Sequence, residues 1–295
     1  MRFFNKIIII FLLLVSCQKK SALYIRSNIQ TEFNKVKGEF ALAYKDLQTG
    51  EQILINEHQR FHAASTMKVP VLIEIYKQAS SGNFSLNDSL EIKNEFQSIV
   101  DSSGYELDKA EDSDSLIYQH IGEKRTIYSL TYDMIILSSN LATNIVIDKV
   151  GASNVQQTIQ KLGTRNMQVL RGVEDTKAYR AGLNNTTTAY DLMILFEKIA
   201  IGEAVDGASS QEMIKILLDQ KFNDIIPAQL PRDVRVAHKT GWITASHHDS
   251  GIVFLPDGRK YILILLSKNL EDEKEGVEAL ARVSKTIYEW VLIQD

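Results

Sequence analysis

The sequence predicts an α+β fold: an antiparallel sheet with flanking helices built from both chain ends, plus an inserted helical lobe. Three observations carry this expectation. Apolar and β-branched runs cluster near the two ends, at 39–55 and 234–268. Segments of helical period fill the middle, from about 66 to 220. No internal repeat and no Pro-rich linker divides them, since only 4 of 295 residues are proline. Strands at both ends with helices between them close into one sheet with an inserted lobe.

Taken in order, residues 22–36 read as a helix and EFALAYKD (39–46) as a strand. Gln48-Thr49-Gly50 is a turn that brings 51–55 back as a hairpin. VPVLIEIYKQ (69–78) places Val69, Leu72, Ile73 and Tyr76 on one side of a helix. Proline is tolerated only in a first turn, so Pro70 puts the start of that helix at about Ser65 to Met67. The acidic stretch 92–128 reads as helices joined by long loops. TYDMIIL (131–137) and LATNIVIDKV (141–150) are helical, with Asn140 as N-cap and Gly151 as C-cap of the second. VRVAHKTG (234–241), SGIVFLP (250–256) and KYILILLSK (260–268) are strands, the last two joined by Pro256-Asp257-Gly258. His247-His248-Asp249 falls in the loop between strands. It lacks a partner at helical spacing for zinc, so a substrate contact or a capping role is expected instead. Residues 273–292 form a closing amphipathic helix, and the charges of 271–275 are its solvated start.

A 44% hydrophobic, 24% charged composition excludes a disordered chain, a collagen-like repeat and a polytopic membrane protein. Lys plus Arg is 33 against 37 Asp plus Glu, which argues against a nucleic-acid partner. The lone Cys17 excludes a disulfide framework and a cysteine zinc site. Residues 1–16 read as an export leader: Arg2 and Lys6, then an apolar run from Ile7 to Val15 too short to span a bilayer. The leader ends in Leu14-Val15-Ser16-Cys17, which resembles a bacterial lipobox whose Cys becomes the lipidated first residue. An ordinary signal peptide with a chance Cys is the alternative. Export also suits a body without further thiols. Removing Arg2 and Lys6 takes the net charge from -4 to -6. The expectation is a body anchored by lipid on the periplasmic side of a membrane.

Three short motifs carry chemistry. Ser65-Thr66-Met67-Lys68 opens the first middle helix, so the Ser hydroxyl feels the positive end of the helix dipole and Lys68 lies one turn on, on the same face. A lysine there can accept the serine proton if burial or a second cation lowers its pKa. Alone, the pattern is common and is better read as an N-capping serine beside a surface lysine. Ser138-Ser139-Asn140 joins two helices and leaves Ser138 on the connection. Lys239-Thr240-Gly241 ends a strand, where a lysine and a hydroxyl can hold a carboxylate and glycine admits a substrate backbone.

In this order the motifs resemble the class A β-lactamases and the related serine penicillin-recognising enzymes. Asn144, in NLATN, also fits the family pattern. The resemblance runs from the first hairpin to the last helix and implies a β-lactamase/transpeptidase-like catalytic domain over 17–295. Its sheet lobe would hold about 22–64 and 221–295, and its helical lobe about 65–220. By similarity, Ser65 attacks the lactam or peptide carbonyl and Lys68 serves as its base. Ser138 passes a proton to the leaving nitrogen and Asn140 binds the substrate's amide side chain. Lys239 and Thr240 hold its carboxylate, with Gly241 beside them. The backbone N–H groups of Ser65 and Trp242 form the oxyanion hole. Lys239 would also help depress the pKa of Lys68. The resemblance implies a β-lactam or D-Ala-D-Ala-type substrate, no cofactor, no metal and a monomer.

Two departures stand out. Ser139 occupies the middle position of the second motif, where the class A family has Asp. The E-x-x-L-N signature of the loop that supplies the deacylation base is absent. Arg171-Gly172-Val173-Glu174-Asp175 stands in its place, ahead of the Asn-Thr-Thr-Thr run at 185–188. Glu174 is the candidate base and Asp175 its competitor. Tyr105 and Trp242 are further candidates for the cleft wall. A peptidoglycan DD-peptidase and a penicillin-binding or sensing protein, acylated without turnover, are the alternatives to a hydrolase.

Overall fold

The five long strands of the computed structural model are apolar on both faces, and that pattern sets the architecture. The structure describes residues 22–294; Cys17 and the leader lie outside them. Strands β1 (Glu39–Asp46), β2 (Gln52–Ile55), β3 (Arg235–Ile243), β4 (Ser246–Phe254) and β5 (Lys260–Lys268) pair antiparallel in the order β2-β1-β5-β4-β3. The first and last stretches of the described chain therefore meet in one sheet. Side chains alternate between faces. Ala41, Ala43, Ala237, Ile252, Ile262, Ile264 and Leu266 face one core. Phe40, Leu42, Tyr44, Val236, Val253, Leu263 and Leu265 face the other.

The second face is covered by α1 (Ala22–Phe33) and the closing helix α9 (Glu273–Leu292), whose Leu280, Val283, Ile287 and Trp290 are buried. The first face is covered by the helical lobe: α2 (Lys68–Ser80), α3 (Ile127–Ile136), α4 (Asn140–Val150), α5 (Ala152–Lys161), the short α6 (Thr176–Arg180), α7 (Ala189–Ala200) and α8 (Gly207–Leu218). Within the lobe α7 packs on β1, β4 and β5 and α8 on β3, while α2 is buried all round among α3, α4, α5 and α8. By strand parity Lys239 shares the helical-lobe face with Ala237, whereas His238 points to the opposite side.

Four sequence expectations are corrected. Residues 92–128 hold short strand pairs and a 3-10 turn, Phe96–Gln97 with Gly104–Tyr105 and Ile117–His120 among them, and within this stretch α-helix begins only at Ile127. The reason is local: Asp101, Asp108 and Asp112 each accept the backbone N–H two residues on, which competes with helix formation. His247, His248 and Asp249 lie in β4, because the turn closes earlier, at Ala245 with φ 57°. Ser139, not Asn140, caps α4, its side chain accepting from Ala142 N. The helix expected over 22–36 ends at Phe33.

Gly251 sits mid-strand in β4 opposite His238. A Cβ there would lie 2.7 Å from Ala237 O and 2.6 Å from His238 Cβ. Gly251→Ala should therefore cost about 1–3 kcal/mol of stability as an overpacking substitution. Equilibrium urea unfolding reads this directly, and an unshifted midpoint would exclude the clash.

Candidate functional site

Ser65 lies in a single 3-10 turn, Ala64–Met67, that runs directly into α2. The turn is entered through Ala64 at φ 45°, a left-handed conformation that an L residue adopts only under constraint. Lys68 opens α2 and is fully buried, while Ser65 is half-buried at the floor of a cleft. The cleft consists of two adjoining cavities of about 370 and 500 Å³, and Ser65, Asn140, Glu174 and Trp242 line both. Trp242 is 58% exposed at the rim. Strand β3 is the sheet edge, and the turn of Ser65 packs against it. A Cβ on Gly241 would lie 2.9 Å from Ser65 N, so only glycine leaves space beside that amide.

The three motifs converge on one hydroxyl. Lys68 Nζ donates to Ser138 O at 2.7 Å, to Ser138 Oγ at 3.2 Å and to Asn140 Oδ1 at 2.8 Å. Lys239 Nζ donates to the same Ser138 Oγ at 3.0 Å and to Thr240 O at 2.9 Å. Ser138 holds a positive φ of 56° between α3 and α4. Burial lowers Lys68 to a pKa of about 7, against the attraction of Asp112 and Glu174. Burial, then the charge of Lys68, pushes Lys239 well below the ordinary lysine range, while Asp249 pulls it back. Desolvation is the largest cause of the shift at Lys68, and the repulsion between the two lysines adds to the depression of the pair.

Glu174 reaches into the same cleft. Asn140 Nδ2 donates to its Oε1 at 2.7 Å, and Asp108 N to its Oε2 at 3.4 Å. Burial raises its pKa above the usual carboxylate value, although those two hydrogen bonds oppose the shift. Its loop is clamped from behind. Asn144 Oδ1 accepts from Val173 N at 2.6 Å and its Nδ2 donates to Val173 O at 3.0 Å. Arg171 donates to Gly172 O and Leu183 O. Tyr105 donates its hydroxyl to Val173 O, supporting the loop from outside the cleft. Asp175 turns the other way. It caps α6 through Ala178 N and accepts from Ser98 Oγ and Ile99 N, which hold its pKa below the usual value despite burial.

One residue of the site was not read from the sequence. Asp112, buried in the former acidic stretch, accepts Asn140 N through both oxygens at 3.0 Å and Leu141 N at 2.9 Å. It places a carboxylate at the positive end of α4 and beside Lys68. Its segment, EDSDS, has no periodicity to signal this. His247 bonds Glu273 at 2.7 Å, at the start of α9, and His248 Nε2 donates to His62 O at 2.9 Å. His238 and Asp249 pair at 2.8 Å beneath the sheet.

Comparison with known proteins follows the same pattern. A family model described as the β-lactamase enzyme family matches residues 24–291. The extended-spectrum β-lactamase PER-1 of Pseudomonas aeruginosa is 23% identical over 257 residues, 82% of this chain and 79% of its own. A β-lactamase of Bacteroides uniformis is 24% identical over 255 residues, 81% of this chain and 82% of its own. Among solved structures, PBP-A is similar with a TM-score of 0.77 at 27% identity, over 91% of this chain and 96% of its own. A variant of PBP-A, solved as an acyl-enzyme complex with penicillin G, has a TM-score of 0.78 at 27% identity, over 93% and 98%. A β-lactamase from Sphaerobacter thermophilus DSM 20745 shares the fold, with a TM-score of 0.80 at 23% identity over 92% and 99%.

The Asp112 contacts generate a prediction with a defined sign. Its charge raises the pKa of Lys68. Asp112→Asn should move the Lys68 titration below its present value of about 7. NMR of ¹³C-labelled lysine reads the shift, and an upward shift or none would remove Asp112 from the electrostatics of the site.

Proposed function

The chain belongs to the β-lactamase enzyme family, and from that footing we propose that it hydrolyses β-lactam rings through an acyl-enzyme on Ser65. The observation that carries this reading is the meeting of Lys68 and Lys239 on the Ser138 hydroxyl, in the cleft that Ser65 lines. In the acylation step the Ser65 proton passes to Lys68 Nζ and Oγ bonds to the lactam carbonyl carbon. Lys68 spends its hydrogen bonds on Ser138 and Asn140 in the free protein, so one of these must be released as it takes up the base role. A pKa of about 7 leaves a large neutral fraction at neutral pH, and acylation should slow as pH falls through that value. The carbonyl oxygen develops charge between the amides of Ser65 and Trp242, where one such donor is worth about 3 kcal/mol of barrier. As the C–N bond breaks, the nitrogen takes the Ser138 proton, which a neighbouring ammonium replaces. Lys239 and Thr240 hold the substrate carboxylate, and Asn140 the amide side chain.

Deacylation requires a base for water. Glu174 fits that role: it lines the cleft with Ser65, and burial raises its proton affinity above the usual carboxylate value. Antibiotic inactivation at the periplasmic side of a membrane, with Cys17 as lipid anchor, completes the proposal. Metabolic labelling with a fatty-acid analogue tests the anchor, and labelling that survives Cys17→Ser would exclude it. Among the described residues no helix is long and apolar enough to cross a membrane.

Two variants test the chemistry. Ser65→Ala should abolish covalent labelling by penicillin while the circular dichroism spectrum persists; a surviving adduct would move the nucleophile elsewhere. Glu174→Gln should acylate and then stall, giving a stable adduct at Ser65 by intact-protein mass spectrometry and at least about a hundredfold loss of turnover. Turnover at the wild-type rate would place the base elsewhere. A wild-type protein that itself accumulates the adduct indefinitely would be a penicillin-binding protein rather than a hydrolase.

A further inference from the structure

The turn that presents Ser65 begins with an unusual cap. Six helices of this structure, α3, α4, α6, α7, α8 and α9, open with a side-chain oxygen on the N-cap residue, from Thr126, Ser139, Asp175, Thr188, Asp206 and Asp272. The 3-10 turn of Ser65 has Ala63 at that position, which has no side chain able to cap. The N–H of Ala64 donates instead to Nδ1 of His62, at 3.0 Å. Ala64 is also the residue held at φ 45°. A ring nitrogen two residues upstream thus satisfies the first amide of the turn at its most strained point, one residue before the nucleophile.

The rest of His62 is fixed, which leaves the ring to act as a cap. Its carbonyl accepts from His248 Nε2 and its backbone pairs with Thr186. His248 Nδ1 accepts from Ser267 N, which fixes the tautomer that donates to His62. On the cleft side the ring meets the edge of Tyr179 on α6, centroids 6.3 Å apart.

We propose that His62 is a positioning residue for acylation, its unprotonated Nδ1 holding the Ala64 turn and thereby the Ser65 amide and hydroxyl. The proposal rests on the reading of Ser65 as nucleophile. The acceptor is present only while the ring is neutral. Protonation of Nδ1 sets two N–H groups against each other and releases the turn. The charged and titratable groups around the ring are Arg171, Glu174, Asp175 and Tyr179, which share its cavity, and His248 behind it. Burial, followed by the Arg171 charge, keeps His62 below the ordinary histidine pKa of 6.5, which preserves the acceptor at neutral pH. The acid limb of acylation then contains two ionisations, Lys68 near pH 7 and His62 below it.

The test compares wild type with His62→Leu and His62→Asn. Asparagine at this place can close an Asx turn on the same Ala64 amide without titrating. The acylation rate constant with penicillin is measured from neutral pH to about pH 4. His62→Leu should be slower by about tenfold at neutral pH, and His62→Asn should recover most of that loss. In acid, the wild-type rate should fall with a limiting slope of about two, and His62→Asn with a slope of about one. In ¹⁵N spectra of the wild type the Ala64 and Ser65 amides should titrate together with the His62 ring. Equal rates for His62→Leu and wild type, equal losses in the leucine and asparagine variants, one shared acid limb, or an Ala64 amide that ignores the ring would each overturn the proposal. The amide titration does not depend on turnover. A wild type that is never acylated at Ser65 would therefore sink the nucleophile reading and leave the capping interaction to be judged on its own.

Discussion

Lys68 and Lys239 approach the Ser138 hydroxyl from opposite lobes, at 3.2 and 3.0 Å, and neither is exposed to water. Two ammonium groups in that position are costly to bury, through desolvation first and mutual repulsion second. Much of the surrounding structure answers that cost. Asp112 and Glu174 attract Lys68. Asp249 attracts Lys239 from the far side of the sheet and is itself held by His238, Ile226 N and Ser250 N. Each lysine keeps these charge partners within its own lobe, and the bond that crosses from the edge strand to the helical lobe is Lys239 Nζ to Ser138 Oγ. That hydroxyl therefore joins the lobes as well as equipping the cleft.

Strain is concentrated at the same place. Among the described residues seven that are not glycine have positive φ, and three of them are Ala64, Ser138 and Glu174. Each precedes or carries a group that points into the cleft. Such conformations persist only where neighbours over-determine them. The neighbours are identifiable: His62 at Ala64, Asp133 O accepting Ser139 N after Ser138, and the Asn144 clamp on Val173 before Glu174. Asn144 contacts neither the Ser65 turn nor the lysines in this arrangement; it stabilises the backbone that delivers a carboxylate.

The sequence made the frame legible because the frame follows local rules. The strand at 39–46, the closing helix at 273–292 and the start of α2 near Ser65 follow from alternation, amphipathic period and the position of Pro70. The convergence of three motifs was legible through resemblance, not through spacing, since nothing in a linear chain places Lys239 beside Ser138. What escaped was non-local or competed with local propensity. Residues 92–128 satisfy their own backbone through Asp side chains, so their composition concealed the absence of helix. His248 and Asp249 look like loop residues until the partners that justify burying them, His62 and His238, are in view.

Glu174 and Asp175 show where reading residue types stops. They are adjacent and chemically alike, and the sequence could name both as candidates for one role. The fold separates them by the donors each meets. Asp175 accepts from two backbone amides and a hydroxyl, which favours its charged form and commits it to capping α6 and anchoring the neighbouring loop. Glu174, turned by its φ of 61° into the cleft, meets one short donor and one long one, so desolvation prevails and its proton affinity rises. The same logic accounts for Ser139. The α4 terminus and Lys68 call for a carboxylate in space, and Asp112 supplies it from another segment while Ser139 provides the cap. The physical requirement lies in where charge sits relative to the lysine and the helix end, and a motif position is one of several ways to meet it.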